Sequence, residues 1–570
     1  MTAAAVEKWD HETDLLVVGT GAAGLTAAVV GANEGLKVLV VEKTDKYGGT
    51  TAFSGGVAWI PNNPLMKAAG IPDTPKDAVT YLKHNIGNRV APSKLETFVE
   101  YAPVMTEYMT ENSELKFQMM EDFPDYRPET PGGCKGGRSI DPKVFSGRKL
   151  KDYDKLRLRP GSIPGGVVGS VKELRRLAFF KSDPKGLLDV WYVIPRNIWN
   201  RIAGRQHISS GRALVARLRY TLQEKNVPLW LETGLDELIT ENGAVIGARV
   251  TKQGKSQTIR ARKGVVIAAG GFDHNKAMRQ QYFDKATDAW ASGAYSSGAP
   301  GSMGDGIRAG QAVGAALDLM DDMWWMPSSN EPGAKAPTIH VFERGLPHVM
   351  IVNKKGKRFA NEARPYNELG RVIYEDDAPP AFLVFDNEYR SRYTVGTMLP
   401  GMTPERFIRD GYVKKADTLE DLARQCGIDA EGLKQQVARF NAMAEAGRDD
   451  DFHKGESAFD LYAGDKSNKP NPCLGPIAKA PFYAIEIQAG DLGTKGGLLT
   501  NERAQVLRED GTVIGGLYAA GNSSACVVGN FYPGGGGTIG AGMTYAYLAA
   551  MHAAGKVGDP AKALAAAAAE

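Results

Sequence analysis

A chain of 570 residues is too long for one compact unit of ordinary size, and 43% apolar with 24% charged side chains is a globular composition, not a disordered, collagenous or multi-span membrane one. Its 69 Lys plus Arg nearly balance 66 Asp plus Glu, so no strong field points to nucleic acid as a partner. The four cysteines, Cys134, Cys426, Cys473 and Cys526, form no C-x-x-C pair, which argues against a zinc site or a disulfide framework and fits a reducing cytoplasm.

Met1 to Thr13 carries Glu7, Asp10 and Glu12 without the basic region and apolar run that export requires, and is expected to be an uncleaved tail. No apolar stretch reaches the ~18 residues a spanning helix needs. From Asp14 to Glu42 the pattern is that of a βαβ unit. Leu15 to Val18 predicts a buried parallel strand, Ala22 to Asn33 a helix of small residues stopped at Gly35, and Val38 to Val41 the next strand.

Gly19-x-Gly21-x-x-Gly24 lies between the first strand and the helix, and Glu42 closes the second strand with Lys43 beside it. Gly19 permits the tight turn, Gly21 lets the backbone approach a pyrophosphate, and Gly24 lets helix and sheet come close. Ala22 and Ala23 present the helix N-terminal amides to phosphate. Glu42 accepts ribose hydroxyls and disfavours a 2′-phosphate, so NADP is not expected. A second loop follows, Gly48-Gly49-Thr50-Thr51 with Ser54-Gly55-Gly56. Small side chains and free amides at that place suit the isoalloxazine end of FAD, for which an NAD fold has no counterpart.

Further along, a long helical region is predicted from about Ala78 to Glu114. Residues 148–205 are rich in basic side chains (Arg148, Lys149, Lys151, Arg175, Arg176, Arg196, Arg201) interleaved with Phe179, Phe180, Trp191, Tyr192 and Trp199. Two readings stand: a peripheral membrane contact, or a surface excursion whose aromatics pack on the body. Leu235 to Gly271 reads as strands and hairpins turning at Asn242-Gly243 and Gly254. Trp324 to Phe482 changes texture, with a hairpin over His348 to Phe359 turning at Lys355-Gly356 and helices near Leu419 to Glu445. Leu517 to Gly521 is another strand running into a turn, and Ala561 to Ala569 a fraying helix. The fold class is α/β: a Rossmann-like FAD-binding domain with a central parallel sheet over 1–324 and 489–570, plus an inserted α+β substrate domain over 325–488.

The late segments Ala268-Ala269-Gly270-Gly271 and Gly516 to Gly521-Asn522 resemble the strand ends that close the FAD cleft in the fumarate reductase and succinate dehydrogenase flavoprotein superfamily. In that superfamily covalent members bond flavin through a histidine near the second loop. Here the segment is Thr50-Thr51-Ala52-Phe53-Ser54, so the resemblance implies noncovalent FAD. Where the superfamily grips a dicarboxylate with an arginine, this chain has Gly529-Asn530-Phe531-Tyr532-Pro533-Gly534-Gly535-Gly536-Gly537, continuing Thr538-Ile539. A phenol suits a neutral carbonyl, not a carboxylate.

That turn, with Phe123-Pro124-Asp125-Tyr126, Asn361 to Asn367 and Asp491 to Gly497, is similar to the 3-ketosteroid Δ1-dehydrogenases. The resemblance implies that Tyr532 and the Gly536 amide bind the C3 carbonyl of a 3-ketosteroid. It further implies that Tyr366 removes the C2 proton with Tyr126 sharing the charge, and that hydride passes from C1 to flavin N5. A second oxidant must reoxidise the flavin, with a quinone as one candidate. A Δ4-(5α)-dehydrogenase and a fumarate-reductase-like flavoprotein are the alternative readings.

Overall fold

The computed structural model describes residues 8–158, 167–178, 180, 184–375 and 380–556. The chain opens on β1 (His11–Val18), α1 (Ala22–Asn33) and β2 (Val38–Val41). β1 starts earlier than its apolar run suggests, so the expected tail ends before His11; residues 1–7 lie outside the described set. The polar start of β1 is tied down locally, with Arg262 reaching Glu12 and Asp14 and Thr13 donating to the Lys37 carbonyl at 2.5 Å. Leu15, Leu16 and Val17 are fully buried because the parallel sheet is covered on both faces; each such side chain contributes about 1.5–3 kcal/mol.

The helical region expected over 78–114 is two helices, α2 (Pro75–Ile86) and α3 (Pro92–Asn112). Gly87 ends α2 at φ 64°, and Pro92 opens α3, where its missing N–H costs nothing. Then come α4 (Val171–Ala178), α5 (Pro184–Ile202) and α6 (Ser210–Glu224). The strands β3 (Leu229–Trp230), β4 (Thr233–Glu241), β5 (Ala244–Lys252) and β6 (Lys255–Ile267) follow.

A second sheet begins with β7 (Met323–Ser329) and β8 (Thr338–Ile339), then β9 (Val349–Val352), α7 (Tyr366–Glu375), β10 (Ala381–Phe385) and β11 (Val413–Ala416). Helices α8 (Leu419–Cys426) and α9 (Ala430–Ala446) precede the long β12 (Phe482–Thr494). The hairpin expected over 348–359 does not form. The turn at Lys355-Gly356 is present, but β9 pairs antiparallel with β10, and 357–359 form no strand. Gly356 sits against the backbone of Gly432 and Leu433, so the returning arm packs under α9.

The chain closes with β13 (Gln505–Leu507), β14 (Val513–Ala519) and α10 (Gly537–Ala553). The first sheet runs β13-β14-β6-β1-β2-β3, its β14-β6-β1-β2-β3 core parallel, with β5 and β4 added antiparallel off β6. The second runs β8-β7-β12-β10-β9 with β11 on β12, all antiparallel. Small residues let α1 and α10 lie close: a Cβ on Gly542 would meet the Ala23 Cβ at 3.7 Å. The Ala561 to Ala569 helix lies outside the described residues. No helix among those described is long and apolar enough to cross a membrane.

Candidate active site

The C-terminal ends of β1, β2 and β6 open into one continuous cleft of about 1960 Å³, counting its mouth, that runs from Glu42 to the tyrosines. Gly19 takes φ 109°, and a Cβ there would stand 2.2 Å from the Ala268 carbonyl oxygen, so only glycine serves. A Cβ on Gly21 would meet no protein atom nearer than Thr51 Oγ1 at 3.5 Å, so this face of its backbone is open to a ligand. The N-terminus of α1 carries no side-chain cap, and Ala22 and Ala23 line the cleft beside it. Ala22 donates to Thr51, so the Ala23 amide, facing a glycine-walled cleft, is the one that fits a pyrophosphate.

Gly24 does not line the cleft. Its Cβ would stand 2.1 Å from the Gly19 carbonyl oxygen, so it serves the close packing of turn and helix. Glu42 and Lys43 line the opposite side; Lys43 pairs with Asp305. The Glu42 carboxylate is oriented by Thr20 Oγ1 at 2.5 Å and by the Thr44 amide and hydroxyl at 3.1 and 2.8 Å. Thr20 also accepts the Gly48 amide at 3.0 Å, coupling the two glycine loops. That threonine sits inside the first glycine motif, yet its polarity gives no sequence signal of this role.

The second loop lies where expected. Gly49, Thr50 and Thr51 line the cleft, as do Ser54, Gly55 and Gly56. Thr51 Oγ1 accepts the Ala22 amide and Thr50 Oγ1 the Ala299 amide, both at 2.9 Å. Ala269, Gly270, Gly521 and Asn522 close the far wall, with Thr538 and Ile539 at the start of α10. The lining residues include no histidine or cysteine for a flavin bond.

Beyond them three tyrosines meet edge to face. Ring centroids lie 5.5 Å apart for Tyr126 and Tyr366, 5.2 Å for Tyr126 and Tyr532, and 5.7 Å for Tyr366 and Tyr532. All three are buried and line the cleft. Tyr126 is placed by its neighbour Asp125, which accepts Trp59 Nε1 and Arg138 at 2.7 Å each, while the Tyr126 amide donates to the Pro533 carbonyl at 3.0 Å. Tyr366 opens α7 directly after Pro365. Tyr532 belongs to a turn pinned from several sides. Tyr81 donates to the Pro533 carbonyl at 2.7 Å, Ser139 to the Gly535 carbonyl at 2.9 Å and the Trp59 amide to the Gly536 carbonyl at 3.1 Å. Gly536 has φ 94°, and a Cβ there would stand 2.3 Å from the Val57 carbonyl oxygen.

Burial pushes all three phenols above the ordinary tyrosine range. Tyr366 is raised further by its neighbours Tyr126 and Tyr532. On Tyr532 the Thr538 hydroxyl, Tyr366 and the Gly536 amide work against burial, which brings phenol and amide to one place. The wall around the cluster is apolar: Phe123, Met326, Ile339, Val341, Phe342 and Leu492. Sequence reasoning missed these except Phe123 and Leu492, which lie in quoted motifs, because an apolar residue reads alike whether it faces a core or a cleft. The charged lining residues Glu42, Lys43, Asp305 and Arg157 gather at the other end, where Arg157 donates to Thr44.

The chain matches the FAD binding domain family over residues 14–539. It is 44% identical over 566 residues to the 3-oxosteroid 1-dehydrogenase of Mycobacterium tuberculosis (strain ATCC 25618 / H37Rv), covering 96% of this chain and 99% of the relative. The chain belongs to the 3-oxosteroid 1-dehydrogenase family. A solved member, the 3-ketosteroid Δ1-dehydrogenase from Sterolibacterium denitrificans in complex with 1,4-androstadiene-3,17-dione, superposes with a TM-score of 0.91 at 42% identity, covering 96% of this chain and all of that one. At 36% identity, over 95% of this chain and 93% of the relative, stands the 4-oxocyclohexanecarboxylate 2-dehydrogenase of Sinomonas cyclohexanicum. The family's cofactor is FAD, and the N-terminus of α1, the two glycine loops and Glu42 line the cleft in which it would be held.

Proposed function

We propose that this chain is an FAD-dependent 3-ketosteroid Δ1-dehydrogenase. The observation that carries the reading is the tyrosine end of the cleft, where phenols and apolar side chains form the wall and no charged side chain lines it among the described residues. A carboxylate buried there would lack a counter-charge, at a cost of several kcal/mol. This disfavours both a dicarboxylate and an oxo-acid, and favours a large neutral ketone. Tyr532 and the Gly536 amide hold the C3 oxygen and stabilise the enolate as it develops. Tyr366 takes the C2 proton, with Tyr126 sharing the charge. FAD supplies the acceptor for the hydride that leaves C1, and the C1–C2 double bond forms.

Anaerobic 4-androstene-3,17-dione tests this. It is expected to bleach the flavin and to yield the 1,4-diene on product analysis. Because that steroid already carries its C4–C5 double bond, bleaching also excludes a Δ4-(5α)-dehydrogenase; an unbleached flavin would end the proposal.

The electron acceptor is proposed to be a quinone, and the chain to meet a lipid surface through α5. Trp191 is 74% exposed and Ile202 75%, with Leu188, Tyr192 and Trp199 also largely exposed, so these aromatics do not pack on the body; Phe179 lies outside the described residues. Basic side chains on α4 and α5 suit anionic headgroups, and Val171, the first residue of α4, lines the cleft, which puts this face beside the route of an apolar substrate. The full chain is expected to co-sediment with anionic vesicles, and Trp191→Glu with Trp199→Glu to stay in the supernatant. Equal recovery of both in the supernatant would refute the contact.

A further inference from the structure

Three buried phenols pose an electrostatic problem, because a phenol whose pKa burial has raised is a weak base at neutral pH. The charge that answers it has to lie outside the lining. Arg344 is 1% exposed and makes no carboxylate ion pair among the described residues. Its donors go to backbone carbonyls instead. Nε reaches His340 at 2.7 Å, one terminal nitrogen reaches Glu362 and Arg364 at 2.5 and 3.3 Å, and the other reaches Val341 at 2.7 Å. Two of those carbonyls belong to the loop that carries Ile339, Val341 and Phe342 along the cleft wall. The other two belong to the segment that leads through Pro365 into Tyr366. One side chain therefore ties the substrate wall to the approach of the base, and does so with a charge whose burial must be justified.

We propose that Arg344 is the positioning residue of the tyrosine cluster: its buried guanidinium, clamped between the cleft wall and the segment before Tyr366, supplies the positive charge that favours the phenolate form of the Tyr126 and Tyr366 pair. This rests on the Δ1-dehydrogenase reading only for which tyrosine is the base. The charge balance around it is consistent. Burial raises Tyr126, Tyr532 raises it further, and Tyr366 and Arg344 lower it. Burial brings Arg344 down to about 10, still cationic at neutral pH, against the support of Glu343, Glu362, Tyr126 and Asp460. Glu362 is engaged by Arg358 at 2.7 Å and Lys454 at 3.7 Å, and Glu343 by His340 at 3.0 Å. For Tyr366 the largest effects after burial come from the phenols of Tyr126 and Tyr532, which raise it.

The sign of the effect follows. Phenolate is the active form, so the rate rises with pH through the pKa of the pair, and removing a nearby cation moves that rise to higher pH. A charge at several ångströms in a protein interior is worth on the order of one pH unit, so Arg344→Met should bleach about tenfold more slowly than wild type near neutrality and recover as pH rises. Arg344→Lys keeps the charge and should keep the wild-type pH of the rise despite losing carbonyl contacts. Glu343→Gln removes an anion beside Arg344 and should move the rise to lower pH.

The measurement is anaerobic flavin bleaching by 4-androstene-3,17-dione across pH in the holoenzyme, paired with ultraviolet phenolate titration without steroid. A uniform loss at every pH in Arg344→Met overturns the proposal. Should that variant not fold, a rise unmoved or moved upward in Glu343→Gln overturns it equally. Failure of steroid oxidation with the phenolate ordering intact would instead strike the functional reading and leave Arg344 in its role.

Discussion

Replacing Tyr366 with Phe is expected to lower the rate of flavin bleaching by a 3-ketosteroid by about 10²- to 10⁴-fold, the range set by removal of a positioned general base. The substitution keeps the ring and its edge-to-face contacts with Tyr126 and Tyr532, so the cleft should hold its shape and its FAD. What disappears is the oxygen at the head of α7 proposed to accept the C2 proton. The carboxylates of the cleft cannot substitute, because Glu42 is held by Thr20 and Thr44 and Asp305 by Lys43 at the opposite end. Stopped-flow bleaching under anaerobic conditions checks it. In wild type the rate should climb with pH, since burial holds the phenol above its ordinary range and only its anion is basic. An unchanged rate and pH profile in Tyr366→Phe would remove this residue from the chemistry.

Tyr532→Phe is expected to cost about 10²- to 10³-fold in the same measurement, the penalty for losing one donor of an oxyanion hole. The two losses differ in character. Tyr532 must stay protonated to donate, so the wild-type rate should fall again at high pH as this phenol ionises, and the Phe variant should lack that descending limb. Burial raises the Tyr532 pKa, which keeps the donor intact at neutral pH. The Gly536 amide remains in the variant and accounts for the residual rate. Full turnover with 4-androstene-3,17-dione in Tyr532→Phe would show that the carbonyl is held elsewhere.

The glycine loops were legible in the sequence because backbone geometry dictates them: Gly19 and Gly536 occupy positive φ with a carbonyl oxygen where a Cβ would go, a demand no other residue meets. The tyrosines were legible through short segments that resemble a known family, although their mutual contact joins residues 126, 366 and 532 from distant parts of the chain. Gly24 was legible as a packing glycine from its place in the motif, and in the structure a Cβ there would stand 2.1 Å from the Gly19 carbonyl oxygen. The hairpin at 348–359 was misread. Its turn is real, but the partner of β9 is β10, some thirty residues on, and only the assembled sheet selects it. Arg344 lacked any local signal, because its neighbours are carbonyls brought together by the fold.

The proposed carbonyl donors stand on a turn that runs into α10 and is pinned by Tyr81, Ser139 and Trp59, whereas the proposed proton acceptor heads a helix packed on β7 and β12 of the second sheet. A rotation of one layer against the other would part acid from base while leaving each undamaged. Such an enzyme is disarmed whenever it is ajar, and reactive intermediates would meet water only after the machinery that makes them has come apart.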